Sequence, residues 1–144
     1  DGSFLCSAPP HIRDDREVVM AAIMRNGIAL QFASEALQAD KELVLLALEE
    51  DASAFGFAAS SLHSDREVML AAVRRKGSAL QYAVEELRGD RELVLAALER
   101  DGKALRYASE RLRADREIVM AAVDENPDAL SFAPLELRKD QEVL

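Results

Sequence analysis

Asp15, Asp40, Asp65, Asp90, Asp115 and Asp140 open six near copies of one motif, each 25 residues after the last with no insertion or deletion. The copy at Asp90 reads Asp90-Arg91-Glu92-Leu93-Val94-Leu95-Ala96-Ala97-Leu98-Glu99-Arg100-Asp101-Gly102. A strict period of this length marks a stacked architecture, in which each copy buries its apolar face against its neighbours. For a chain of 144 residues it replaces a single ball-like core with a core that runs as a strip. The expected fold is all-α, an α-solenoid of 25-residue repeats, each a helix followed by a shorter helix or 3₁₀ turn.

The repeats are bounded by their aspartates. Full copies cover 15–39, 40–64, 65–89, 90–114 and 115–139, with a partial repeat at 1–14 and another at 140–144. The first segment belongs to the pattern because Asp1-Gly2-Ser3-Phe4-Leu5 aligns with Asp101-Gly102-Lys103-Ala104-Leu105. Both ends fall inside a repeat and the chain starts without methionine. The expectation is a removed targeting segment, which would fit an organelle, or a piece of a longer array whose open ends contact further repeats or another chain.

Within one unit, Asp90 is suited to cap a helix, since its carboxylate can accept from first-turn amides, and Glu92 favours the positive helix end. Leu93 through Leu98 is an apolar run too continuous for a surface helix, so the helix should be sandwiched, leaving Glu92 and Glu99 exposed. Asp101-Gly102 recurs as Asn26-Gly27, with Asn126-Pro127 and Asp51-Ala52 as variants. Glycine here can serve a left-handed C-cap, or the Asp/Asn can cap a second helix. Proline at the first helical position favours the second alternative. Ala104, Leu105, Tyr107 and Ala108 then define that helix's buried face. Pro134 and Pro9, at the place of Ser109, break it, and a turn or 3₁₀ turn should follow through Glu110-Arg111-Leu112.

The pattern Asp-(Arg/Lys)-Glu-(Val/Leu/Ile)-(Val/Met)-x-Ala-Ala-(Val/Leu), followed by (Asp/Asn)-Gly-x-Ala-Leu-x-(Tyr/Phe)-Ala-Ser-Glu-x-Leu-Arg, closely resembles a family of tandem helical repeats known as a domain of unknown function. The resemblance covers essentially the whole chain and implies long arrays without an established activity. Asp115 through Asp140, with Asn126-Pro127 and Pro134, is also similar to the leucine-rich variant repeat, which implies alternating α and 3₁₀ helices. That second likeness is confined to one copy. The copy at Asp40 is the least typical, with Leu46 for alanine and Phe55-Gly56-Phe57 for Leu-x-aromatic.

Chemistry finds little purchase. A net charge of −9 opposes sequence-independent binding to nucleic acid or anionic lipid. Cys6 is the only cysteine, so there is no intrachain disulfide and no multi-cysteine metal site. No apolar run is long enough for a membrane span, which suits a soluble chain in a reducing compartment. The rows of Asp and Glu should lie roughly 8–10 Å apart between copies, too far for one Ca²⁺, whose oxygens sit at about 2.3–2.6 Å. A capping ladder, with Arg16, Arg66, Arg91 and Arg116 forming surface ion pairs, is the better account.

His11 and His63 lack a neighbouring ligand, and Ser60 and Ser61 lack an oriented base. Phe32, Phe57, Tyr82, Tyr107 and Phe132 recur at one position and are expected to pack in the core. No enzyme, cofactor or metal is therefore expected. Met24 and Ile28 replace residues that are polar in the other copies and lie four apart, which nominates them as a partner-binding patch. The functional expectation is a non-catalytic protein–protein interaction or scaffold module. The alternative is a peripheral structural subunit of a larger protein complex, in an organelle if a targeting segment was removed.

Overall fold

A computed structural model of the chain describes residues 2–139. Asp1 and the partial repeat 140–144, with its aspartate, lie outside the described residues. The chain forms two compact units, Asp1–Arg75 and Lys76–Leu144, and among the described residues both are helical without strands. The architecture is an all-α repeat fold.

In the first unit the order is η1 (Gly2–Ser7), α1 (Pro10–Arg13), α2 (Arg16–Arg25), η2 (Gly27–Phe32), α3 (Glu35–Gln38), α4 (Lys41–Glu50), η3 (Ala52–Phe57), η4 (Ser60–Ser64) and α5 (Arg66–Arg75), where η denotes a 3₁₀ helix. In the second it is η5 (Gly77–Tyr82), α6 (Glu85–Arg88), α7 (Arg91–Arg100), η6 (Gly102–Tyr107), α8 (Glu110–Arg113), α9 (Arg116–Glu125), η7 (Pro127–Phe132) and α10 (Leu135–Arg138). A ten-residue α-helix, a six-residue 3₁₀ helix and a short third segment thus recur every 25 residues.

Side-chain caps explain these boundaries. The Leu43 amide donates to Asp40 Oδ1 at 3.2 Å and the Leu93 amide to Asp90 Oδ1 at 3.1 Å, each relieving an unpaired donor of the first turn. At the other end Asn26, Asp51, Asp101 and Asn126 have extended backbone and accept from the amide two residues ahead, at 2.8–3.1 Å. No described residue has positive φ, so capping of the second helix holds and the left-handed C-cap does not. The glycine has a different reason: a Cβ on Gly27 would lie 2.6 Å from the Ala47 carbonyl oxygen, so the backbones of successive copies touch there.

Each unit has its own apolar interior. Leu5, Ile23, Leu30, Leu43, Phe55 and Met69 are fully buried in the first, and Leu80, Leu93, Leu98, Leu105 and Ile118 in the second. Phe55 stands where the other copies place leucine, which accounts for the irregular Phe55-Gly56-Phe57 sequence. Main-chain bonds also join successive copies: the Ser34 amide donates to the Arg13 carbonyl at 2.9 Å, Ala59 to Gln38 at 2.9 Å and Ser109 to Arg88 at 3.0 Å.

Three expectations require correction. The second helix is 3₁₀ throughout, and the segment after it is a single α turn in every described copy except η4, the reverse of the expected order. At three residues per turn, Gly102, Leu105 and Ala108 face the core, together with Ala104. Tyr107 is rotated to the edge, so the aromatic row is not core: Phe57 and Tyr82 are exposed, and Phe32, Tyr107 and Phe132 half-buried. Finally, the long helix buries a narrower arc than its apolar run suggests. In α7, Leu93, Val94, Ala97 and Leu98 are buried, but Leu95 and Ala96 are only half-buried between Glu92 and Glu99.

Candidate interaction surface

The outward strip of each long helix follows from its pitch. Positions two, five, six and nine after the capping aspartate share one side, the i, i+3, i+4, i+7 relation. In α4 these are Glu42, Leu45, Leu46 and Glu49, a half-buried apolar pair between exposed carboxylates. In α2 they are Glu17, Met20, Ala21 and Met24, so methionine replaces the polar residue that closes the strip elsewhere.

These two departures from the repeat fall side by side. Met20 and Met24 of α2 and Leu45 and Leu46 of α4 line a shallow groove of about 360 Å³, with Glu42 and Glu49 completing its wall. Met24 is 61% exposed, the highest value among the exposed large apolar residues described. Methionine and leucine side chains around an open groove offer adaptable apolar contact.

The sequence paired Met24 with Ile28. The structure puts Ile28 in η2, half-buried, where its amide donates to Asn26 Oδ1 at 3.1 Å, and it does not line the groove. Met24 instead lies with Met20, Leu45 and Leu46. The signal for those residues was present: Met20 and Met24 are four apart, and Leu46 departs from the alanine of Ala21, Ala71, Ala96 and Ala121. Reading the outward strips across adjacent copies would have found the set.

Ion pairs run along the N-terminal ends of the long helices. Arg16 Nε and Nη2 donate to Asp40 at 2.9 Å and Glu42 at 2.6 Å, and Lys41 reaches Asp65 at 3.1 Å and Glu67 at 2.7 Å. Arg91 pairs likewise with Asp115, at 2.7 Å, and with Glu117. The hydrogen bond from Arg16 holds the Asp40 carboxyl below its ordinary range, and the same carboxylates raise Arg16. Burial pushes Asp65 upward, but Lys41 and the Val68 and Glu67 amides outweigh it, so its carboxyl also lies below the ordinary value. Burial likewise pushes Asp115 upward and is outweighed by Arg91 and two amides. The hydrogen bonds that Lys41 donates to Glu67 and Asp65 raise its own pKa.

The remaining singled-out residues have structural positions. His63 occupies the place of Arg13, Gln38 and Arg88, whose side chains satisfy carbonyls of the preceding 3₁₀ helix. Its ring lies 5.1 Å from that of Phe55, and burial lowers its pKa against a hydrogen bond to the Phe55 backbone. His11, Ser60 and Ser61 are exposed. Among the described residues no group of three His, Cys, Asp or Glu side chains is placed to hold a metal ion, and no helix is long and apolar enough to cross a membrane.

Comparison with curated proteins and with solved structures gave no match. The family described as Domain of unknown function (DUF4116) matches residues 1–38, 40–88 and 90–143, nearly the whole chain in three tandem segments, and the chain belongs to that family.

Proposed function

We propose that the chain is a non-catalytic protein–protein interaction or scaffold module and that the groove between α2 and α4 is one of its contact surfaces. The observation that carries this reading is the coincidence of two departures, Met24 and Leu46, on the outward strips of adjacent copies. Elsewhere those positions hold polar residues and alanine, so neither is needed for stacking. A groove of this kind suits one turn of an amphipathic partner helix, read through anchors at i and i+3 or i+4. Such anchors carry much of the energy of a larger contact.

The double variant Met24→Glu/Leu46→Ala tests the reading, because both replacements restore what other copies carry. Partners retained by the wild type in quantitative affinity capture should be lost, with far-UV circular dichroism unchanged. Identical capture by both proteins rejects the groove. Stoichiometric retention in one large complex would instead identify a structural subunit.

A further inference from the structure

We propose that a cavity in the second unit, walled by four arginines, binds a phosphomonoester. It has a volume of about 490 Å³ and is lined by Arg88, Arg106, Arg111 and Arg113 together with Glu85 and Glu110. Four guanidinium charges against two carboxylates leave two positive charges, in a chain whose net charge is −9. None of the four arginines forms an ion pair with a carboxylate among the described residues.

The repeat supplies an internal comparison. In the first unit a cavity of about 480 Å³ is lined by Pro10, Arg13, Ala33, Ser34 and Glu35. These lie 75 residues before Glu85, Arg88, Ala108, Ser109 and Glu110, which line the cavity of the second. Arg106, Arg111 and Arg113 correspond there to Gln31, Ala36 and Gln38. The scaffold therefore forms this cavity with one arginine in one place and four in the other, so the additional three are not required to build it.

Arg113 shows what has changed. At its place in other copies the side chain donates to carbonyls at the end of the preceding 3₁₀ helix. Arg13 donates to Ala8 at 2.9 Å and Cys6 at 2.6 Å, Arg88 to Ala83 at 3.0 Å and Gln81 at 2.6 Å, and Gln38 to Leu30 at 3.1 Å. Arg113 makes no such bond, and its buried Nε has no partner among the described residues. Buried donors are nearly always paired, so Arg113 is not held by the bond that fixes its counterparts, and its terminal N–H groups are left uncommitted on the cavity wall. Two others are held in place: Arg106 lies 4.6 Å over the Tyr107 ring and donates to its hydroxyl, and Arg111 donates to the Gly89 carbonyl at 3.2 Å. Each keeps further N–H groups for a ligand.

Charge selects the ligand class. A phosphomonoester carries about −1.5 to −2 at neutral pH and presents three acceptor oxygens, matching two uncompensated positive charges. Guanidinium forks bind such oxygens in pairs. A lone carboxylate would balance half the charge, whereas a polyanion would face repulsion from the acidic remainder of the chain.

The test uses calorimetric titration of the whole chain at low ionic strength. The probes are an Ala-Ala-phosphoserine-Ala-Ala peptide, its unphosphorylated twin and phenyl phosphate. The expected result is saturable binding of the phosphorylated peptide, none of the twin, and affinity at least about tenfold weaker in Arg106→Gln/Arg111→Ala/Arg113→Gln. Each replacement already occupies the matching place in the first unit. The exposed single variant Arg106→Gln, with intermediate loss, keeps the test valid if the triple variant unfolds. Tighter binding of the peptide than of phenyl phosphate would identify a phosphorylated protein side chain as the source, and equal binding a small phosphomonoester. Absence of saturable binding by both phosphate probes, or variants matching the wild type, overturns the proposal. Neither variant touches the α2/α4 groove, so this result is independent of the interaction reading.

Discussion

Substituting alanine at two glycines should move stability in opposite directions. At Gly27 the added Cβ would sit 2.6 Å from the Ala47 carbonyl oxygen and 3.0 Å from the Asp51 amide nitrogen. Ordinary contact begins near 3.4 Å, so the C-terminal end of α4 must recede by about 0.8 Å, and the obstructing atoms are backbone that cannot rotate away. Overpacking of this kind costs about 1–3 kcal/mol. The lost freedom of the unfolded chain returns only about 0.4–1 kcal/mol. Gly89 is the control. Its φ of −95° and ψ of 2° match those of Ala39 and Ala114, both −96° and 0°, at the same place in other copies. A Cβ there meets nothing closer than 3.6 Å. Gly89→Ala should therefore gain about 0.4–1 kcal/mol, raising Tm by roughly 1–4 °C, whereas Gly27→Ala should lose about 1–2 kcal/mol. Urea and thermal unfolding followed by far-UV circular dichroism measure both. A Gly27→Ala protein as stable as the wild type, or a destabilised Gly89→Ala, would refute the account of close backbone approach.

Other consequences are directly measurable. Phe55→Ala should cost about 3–5 kcal/mol by opening a cavity, and Phe55→Leu, which restores the repeat residue, under about 1.5 kcal/mol; equal losses in urea unfolding would contradict its place in the core. Asp40, Asp65 and Asp115 have pKa values below the ordinary 3.8 in the folded state. Their contribution is present above that pH and is lost as pH falls through 3.8 toward the folded values, because folded carboxylates must then take up protons. Combined Arg16→Gln, Lys41→Gln and Arg91→Gln should flatten the fall in urea midpoint between pH 6 and pH 3; an unchanged slope would remove the ladder from the explanation.

Local capping and periodicity are legible in the amino-acid order itself. The aspartates at 25-residue spacing announce both the helix starts and the stacking, and the Asn/Asp before glycine announces the second cap. What escaped depended on the type of helix. Treating 102–107 as α placed Tyr107 with Leu105, whereas the three-residue turn separates them. Leucine, glycine and alanine propensities do not distinguish the two helices in so short a segment. The site was half legible for a related reason. Met24 is visible as a departure within its own copy, but its companions Leu45 and Leu46 come from the next one, and only packing selects them over Ile28.

The same logic separates scaffold from binding chemistry at Arg113. Sequence alone groups it with Arg13, Arg88 and Arg138, and three of those four arginines bond the 3₁₀ carbonyls behind them. Because Gln38 performs a similar bond with a neutral side chain, the position requires a donor and not a charge. A charge whose Nε leaves that duty, beside two arginines found in no other copy, is therefore surplus to folding. Arg113→Gln should consequently preserve or raise thermal stability, by offering the Leu105 and Arg106 carbonyls the donor that Gln38 gives Leu30 and Gln31, while weakening phosphate binding. Loss of both together would return Arg113 to the scaffold.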